Sequence, residues 1–535
     1  MLAKKTILLC LTAAMAAASL AGCNNAAPTK SDGTLSEVTT PDSYPIETNE
    51  TITYYTKMDS VVSDVFASLN DTEFAKQLTK QTGIKVEFKH PAVGQEAESF
   101  NILFASGDYP DIIENYWNKY KGGAAGALAD GVIIPLNDIV EKVSPNLKSL
   151  LEKEPSVKKS VSVNGDIYMY PFYRSSDILC TYYGAMVRGD VLDKLGMDVP
   201  ETIDEWEAVL RAFKNEFEVP FTTNLTPSFQ SSINLLSGAY GISSGLYIDD
   251  GKVKYGPYEA AYRDYVAKMA DWYKEGLLDS EFSVNDDNRI TSMVINGQIG
   301  MITGSNGSNF GTWLAPMREK NPGAELVPVP YPTLNKGDRP QFGQSGERVL
   351  GYGGAITSSC KNIELAARLL DYGYSQAGEV LYNFGVEGES FEMKDGAPTY
   401  LPAIIDAEKL SGRSMAQQLG NYTRVCTIGP FVQSEDYIMQ FYREEVQKDA
   451  LKTWSDTDAR KHLIPTGLVF SDTDSAKISK LMGDINTCTD EAVLKMIMGT
   501  KSLDEYDAFV AELKASGIEE VLDIYQKAYD SYLAD

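Results

Sequence analysis

Between Thr51 and Ile113 the hydrophobic pattern of the chain changes period four times, and few architectures accept such a sequence. Thr51 to Tyr55 alternates as a strand, Phe74 and Leu78 fall in register for a helix over Thr72–Gln81, and Ile84 to Phe88 alternates again after Gly83. Phe100, Leu103 and Phe104 share one face of a helix over 97–106, Gly107 can supply a left-handed stop, and Asp111-Ile-Ile113 reads as a short buried strand. Such a β-α-β-α-β run makes successive strands parallel, because each helix returns the chain to the starting edge; the fold class is α/β with a doubly wound sheet. In such sheets ligands settle at the carboxyl ends of strands. Asp111, Glu114, Asn115, Tyr116 and Trp117, in and just after the third strand, are therefore candidate site residues.

The later chain repeats the theme. Val161 to Tyr170 reads strand, Asn164-Gly165 turn, strand, which is a hairpin signature. After Pro171 a second α/β unit begins, with Ala185 to Val187 as a strand and a helix over Asp190–Leu195 stopped by Gly196. Thr202 and Glu205 form a capping box ahead of Trp206, Val209, Leu210 and Phe213, whose spacing makes Trp206 a core residue. Ile299 to Ile302 is a strand opening into Thr303–Trp313, which predicts a flexible polar loop carrying Trp313. Val349 to Ile356 is a Gly-rich strand, Ser502 and Glu505 cap a late helix, and Val521, Tyr525, Ala528 and Tyr532 form the last amphipathic face. A chain of 535 residues suits three domains or two large lobes.

The first residues carry an address. Lys4 and Lys5 precede an apolar run from Thr6 to Ala18, too short for a comfortable membrane span, and Leu20-Ala-Gly-Cys23 follows with small residues at the cut. This predicts a signal peptide over 1–22. From 23 to 49 the composition is too polar to bury a core and predicts a disordered tether. Beyond Cys10 and Cys23, the cysteines Cys180, Cys360, Cys426 and Cys488 are widely spaced, which predicts buried free thiols with one bridge open as an alternative.

Most chemistries fail on these residues. A net charge of -27 argues against nucleic acid, which needs a basic face. Gly241-Ile-Ser-Ser-Gly245 matches a nucleophile elbow but follows no buried strand, and a serine triad would have to draw on His90 or His462. No zinc, calcium or nucleotide motif has its full spacing, so neither metal nor cofactor is expected. Acidic pairs such as Glu387 and Glu389 are unsurprising among 75 acidic residues. A binding module remains. Aromatics make up 10% of the chain, and flat rings stack on sugar faces while polar side chains bond the hydroxyls. The candidates are Asp111, Tyr116, Trp117, Tyr173, Arg174, Trp313, Glu347, Arg348 and Tyr352.

With these stretches placed, the sequence resembles the family 1 extracellular solute-binding lipoproteins of bacterial carbohydrate ABC transporters, the LplA and LipO-like group. The likeness rests on Leu-Ala-Gly-Cys23, Ala-Ser-Gly-Asp-Tyr-Pro-Asp-Ile-Ile113, Ile-Pro-Leu-Asn-Asp138, Asn-Gly-Asp-Ile-Tyr168, Val-Arg-Gly-Asp-Val-Leu-Asp-Lys-Leu-Gly196, Pro-Glu-Thr-Ile-Asp-Glu-Trp206 and Tyr-Lys-Glu-Gly-Leu277, with further pieces to Asp507. It implies a two-lobed, type II periplasmic-binding-protein-like fold, each lobe a doubly wound sheet flanked by helices, with the ligand cleft between them. It also implies crossings near 171–175, 344–351 and 390–405, so that 50–172 with 350–400 form one lobe and 173–349 with 401–535 the other. A diacylglycerol on Cys23 would anchor the protein to the outer face of the membrane as a monomer, where it hands a sugar or oligosaccharide to the permease. Arg174, Arg348 and Arg424 would make a locally basic cleft. A peptide or other polar solute is the alternative cargo, and a surface-anchored glycan-degrading enzyme the alternative class.

Overall fold

The structure, a computed structural model, describes residues 33–223, 235–425 and 427–534; the signal peptide, Cys23 and Cys426 lie outside them. Its first sheet has six strands in the order Val432–Gln433, Tyr170–Arg174, Val349–Ile356, Ile112–Tyr116, Thr51–Tyr55, Lys85–Lys89. The three strands of the opening β-α-β-α-β run are parallel, as their period changes predict. Val349–Ile356 is antiparallel to both its neighbours. The reason is topological: this strand returns from the other half of the molecule and so enters at the edge where Tyr116 and Arg174 leave.

The second sheet runs Leu326–Val329, Tyr183–Arg188, Ile299–Ser305, Val219–Thr222. Each sheet has its own core. One cluster takes side chains from Ile46 to Tyr173 and from Val349 to Tyr437, the other from Tyr183 to Phe342 and from Ala450 to Val521. The chain therefore passes between lobes at 173–183, 342–349 and 437–450. The third passage lies beyond the expected 390–405 because Phe391, Tyr400, Ile404, Leu419 and Phe431 are all buried in the first core.

The segment 33–49, expected as part of a tether, is instead a strap on the first lobe. Leu35 N–H donates to Asp138 (2.8 Å), and Lys142 donates to the Leu35 carbonyl (2.7 Å). The Glu364 carboxylate accepts the amides of Thr39 (3.0 Å) and Thr40 (2.6 Å) and both their hydroxyls. Arg368 reaches Asp42 at 2.6 Å, and Ile46, 4% exposed, bonds Thr82. Polar composition cannot build a core, yet partners up to 325 positions away satisfy this backbone one group at a time.

Local signals hold elsewhere. Asn164 and Gly165 both have positive φ (53° and 83°), as a two-residue hairpin turn requires. The Thr202–Glu205 and Ser502–Glu505 capping boxes form, and Trp206 is fully buried. Cys180 and Cys360 are buried free thiols, and Cys488 is a half-buried one.

Candidate functional site

The carboxyl ends of three first-lobe strands, at Tyr55, Tyr116 and Arg174, lie along one edge, which faces the passages to the second lobe. The loop that continues from Tyr116 forms one wall of a cavity of about 670 Å³. Asn118, Tyr120, Lys121 and the small residues 122–125 line it there, with Ser160, Ser162 and Tyr168 of the Asn164-Gly165 hairpin region beside them. The opposite wall is Ile464 to Phe470, then Asp472, Ser475 and Tyr525. Those residues lead into or pack on helices Asp472–Ile497 and Ile518–Ala534, whose buried faces belong to the second core. The cavity is thus an interlobe groove at the strand ends.

Its rings are fixed from behind. Tyr120 stands edge-on to Phe104 at 4.9 Å and donates its hydroxyl to Asp130 (2.8 Å); burial and that carboxylate push the phenol up to about 12. Across the groove Phe470 meets Tyr525 edge-on at 5.0 Å. A smaller cavity of about 410 Å³ adjoins the hinge, with Arg174, Tyr182, Tyr247, Gln344 and His462 in its walls.

The nine sequence candidates scatter. Trp117 is 0% exposed, packs on Phe100 and Phe104, and donates its indole N–H to the Gly353 carbonyl (3.2 Å); it is core and not a sugar platform. Trp313 is likewise core. The polar stretch after Ser305 winds into a π-helical turn over Asn306–Phe310 and then a helix over Gly311–Lys320, held by reciprocal amide bonds between Asn306 and Gln447. That helix turns Trp313 inward, where its N–H meets Thr291. Asp111 sits at the amino end of its strand, away from the groove, and its carboxylate ties down Thr53 N–H (2.8 Å) and hydroxyl (2.6 Å). Tyr352 is buried under Tyr116 (ring centroids 4.8 Å), and Lys119 covers the Tyr116 ring at 5.2 Å.

Tyr173, Arg174, Glu347 and Arg348 do come together, at the hinge. Arg348 donates to the Tyr173 hydroxyl (3.1 Å), the Ser175 carbonyl and Asp177, which Arg460 also holds at 2.6 Å. Burial pushes the Glu347 carboxyl above its ordinary range against the pull of Arg460. Of the three arginines expected to make a basic cleft, Arg348 is engaged by Asp177 and Arg424 by Glu114; Arg174 alone lines a cavity.

Glu114 and Arg424 form a bidentate pair (2.7 and 2.8 Å) beneath the groove edge, with Tyr54 (2.6 Å) and Thr56 (3.1 Å) also donating to the carboxylate. Burial pushes that carboxyl up, but the guanidinium and the two hydroxyl donors outweigh it and hold it below its ordinary range. The next residue, Val425, has φ 60°, a strained setting for a β-branched side chain.

Residues 67–380 match the family model described as bacterial extracellular solute-binding protein. The fructooligosaccharide ABC transporter substrate-binding protein FusA of Streptococcus pneumoniae is 27% identical over 411 residues, 71% of this chain and 70% of that one. Lipoprotein LipO of Bacillus subtilis is 27% identical over 350 residues, 61% of this chain and 65% of that one. An extracellular solute-binding protein from Bifidobacterium longum subsp. infantis shares the fold, with a TM-score of 0.71 at 22% identity over 90% of this chain and 98% of that one. With two lobes, a groove between them and a family match over more than half its length, the chain belongs to the bacterial extracellular solute-binding proteins.

Proposed function

We propose that the protein is the non-enzymatic, lipid-anchored capture component of an ABC importer, taking a neutral oligosaccharide between its lobes and delivering it to the permease as a monomer. The observation that carries this reading is the interlobe cavity, whose walls mix Tyr120, Tyr168, Phe470 and Tyr525 with the hydroxyls of Ser160, Ser162, Thr466 and Ser475. Sugars present apolar C–H faces to rings and hydroxyls to such side chains. Among the described lining residues Asp472 is the one carboxylate, whereas glycoside hydrolysis takes two, about 5–9.5 Å apart; this supports capture over cleavage. The similarity to FusA, named for fructooligosaccharide, favours sugar over peptide. Closure is a population shift toward the state in which both walls touch the cargo. Diacylglycerol on Cys23 keeps the protein on the outer face of the membrane, where it raises the effective concentration of loaded protein near the permease.

Thermal melting of the chain against oligosaccharide and peptide panels tests this, with each hit followed for product. Ligand at about 100 times its Kd adds roughly 2.7 kcal/mol, an upward shift of a few degrees. A shift from one glycan series recovered intact is expected; product formation, or shifts from peptides alone, would overturn the reading.

A further inference from the structure

We infer that the cargo groove continues past Gly467 into a second subsite, so that the protein takes glycans long enough to occupy both cavities; this rests on the capture reading above. A cavity of about 490 Å³ adjoins the main one and shares Ser162, Val163, Gly467 and Val469 with it. Each is of a size that binds small molecules, so together they suit a chain.

The roof of the second cavity is the last two turns of the helix Ile518–Ala534, with Ala528, Ser531 and Tyr532 facing it. Lys159, from the first lobe, donates to the carbonyls of Tyr532 (3.1 Å) and Leu533 (3.2 Å) and stands 5.4 Å from the centre of the Tyr532 ring. A helix end leaves such carbonyls unpaired and favours a cation, so this contact fixes the ring above the cavity. The neck between the cavities is Gly467. A Cβ there would stand 3.2 Å from Tyr532 Cε2 and 3.8 Å from the Lys159 carbonyl oxygen, so glycine keeps the passage free of a side chain. The second cavity offers a ring in Tyr532, hydroxyls in Ser162 and Ser531, an amide in Asn164 and an ammonium in Lys158. Among the described lining residues there is no carboxylate, although the chain as a whole carries -27. Ring, hydroxyl, amide and ammonium together match a sugar unit, whose hydroxyls both donate and accept.

Calorimetric titration of the whole chain with the trimer and octamer of fructo-, manno- and galacturono-oligosaccharide series tests the subsite. For the series that binds, the octamer should bind at least tenfold tighter than the trimer. Ser531→Trp fills the second cavity from the exposed side of the C-terminal helix, and Lys158→Trp fills it from the opposite wall. Each should shrink the octamer's advantage to within twofold and leave the trimer's Kd unchanged. An octamer advantage that survives both variants overturns the inference, as does a wild-type protein that binds trimer and octamer alike. Binding of no member of any series by the wild type overturns the capture reading, and the subsite with it.

Discussion

Replacing Arg424 with methionine should destabilise the first lobe by about 3–5 kcal/mol, because it strands a buried charge. The two side chains are 3% and 0% exposed, and without the guanidinium the Glu114 carboxylate keeps only the hydroxyls of Tyr54 and Thr56. Glu114→Leu should be as severe, since it leaves Arg424 charged and without its bidentate partner. Combining Arg424→Met with Glu114→Leu removes both charges, and what remains is the Tyr54 hydroxyl without its acceptor, at about 1–3 kcal/mol, while the Thr56 hydroxyl keeps the Lys57 carbonyl (3.2 Å). The double variant should therefore lose less than the two singles together, with a coupling of several kcal/mol. Urea unfolding followed by fluorescence and circular dichroism in parallel gives the free energies where the two transitions coincide. On heating, each single variant should melt roughly 6–20 °C lower. Single variants within about 1 kcal/mol of wild type, or a strictly additive double variant, would show that water reaches this pair and refute the reasoning.

Trp117→Ala and Trp313→Ala should each destabilise by about 3–5 kcal/mol in denaturant unfolding, as expected of core rings and not of surface platforms. Phe470→Ala removes a groove ring and should weaken glycan binding about threefold to tenfold in calorimetry, with the melting temperature of the unliganded protein little changed. Glu364→Gln should leave the strap short of its charged acceptor, and hydrogen exchange at the Thr39 and Thr40 amides should accelerate while that of the first-sheet strands does not. Burial raises the Asp371 carboxyl from 3.8 to about 6, so its ionised form is disfavoured in the folded state. Its contribution is then lost as pH rises from about 4 to 6; wild-type stability minus that of Asp371→Asn should fall over this window and level off above it.

The opening strands and helices were legible because each is written in its own period: Thr51–Tyr55 falls where alternation places it. Asn164-Gly165 and Thr202–Glu205 were legible for a related reason, since their bonds close within a few residues. Partners distant in sequence defeated the rest. The polar stretch before Trp313 becomes helical against Gln447, 141 positions on, whose side-chain amide donates to the Asn306 carbonyl and whose own carbonyl accepts from the Asn306 side chain. Segment 33–49 is ordered by Asp138, Glu364 and Arg368, none of which its composition announces. The groove shows both sides of this. The strand-end rule pointed to residues up to Trp117, whereas the groove wall begins one residue on at Asn118, and Phe470 and Tyr525 arrive from the far end of the chain. Tyr525 also sits at the spacing of a core stripe, so periodicity assigned it inward.

The strap has a mechanical meaning. Any pull on the chain ahead of Gly33 meets Leu35 on Asp138 and Lys142 first, then Thr39 and Thr40 on Glu364, then Asp42 and Tyr44 on Arg368, then Ile46 on Thr82, and only then the strand that starts at Thr51. These attachments lie in series, so tension opens them one after another, each opening paying out slack before the next is loaded. The strand Thr51–Tyr55, bonded on both sides inside the sheet, is thereby spared until the last attachment has gone. The arrangement works as strain relief does on a cable, keeping tugs on the lead away from the joint, here the sheet whose far edge shapes the groove.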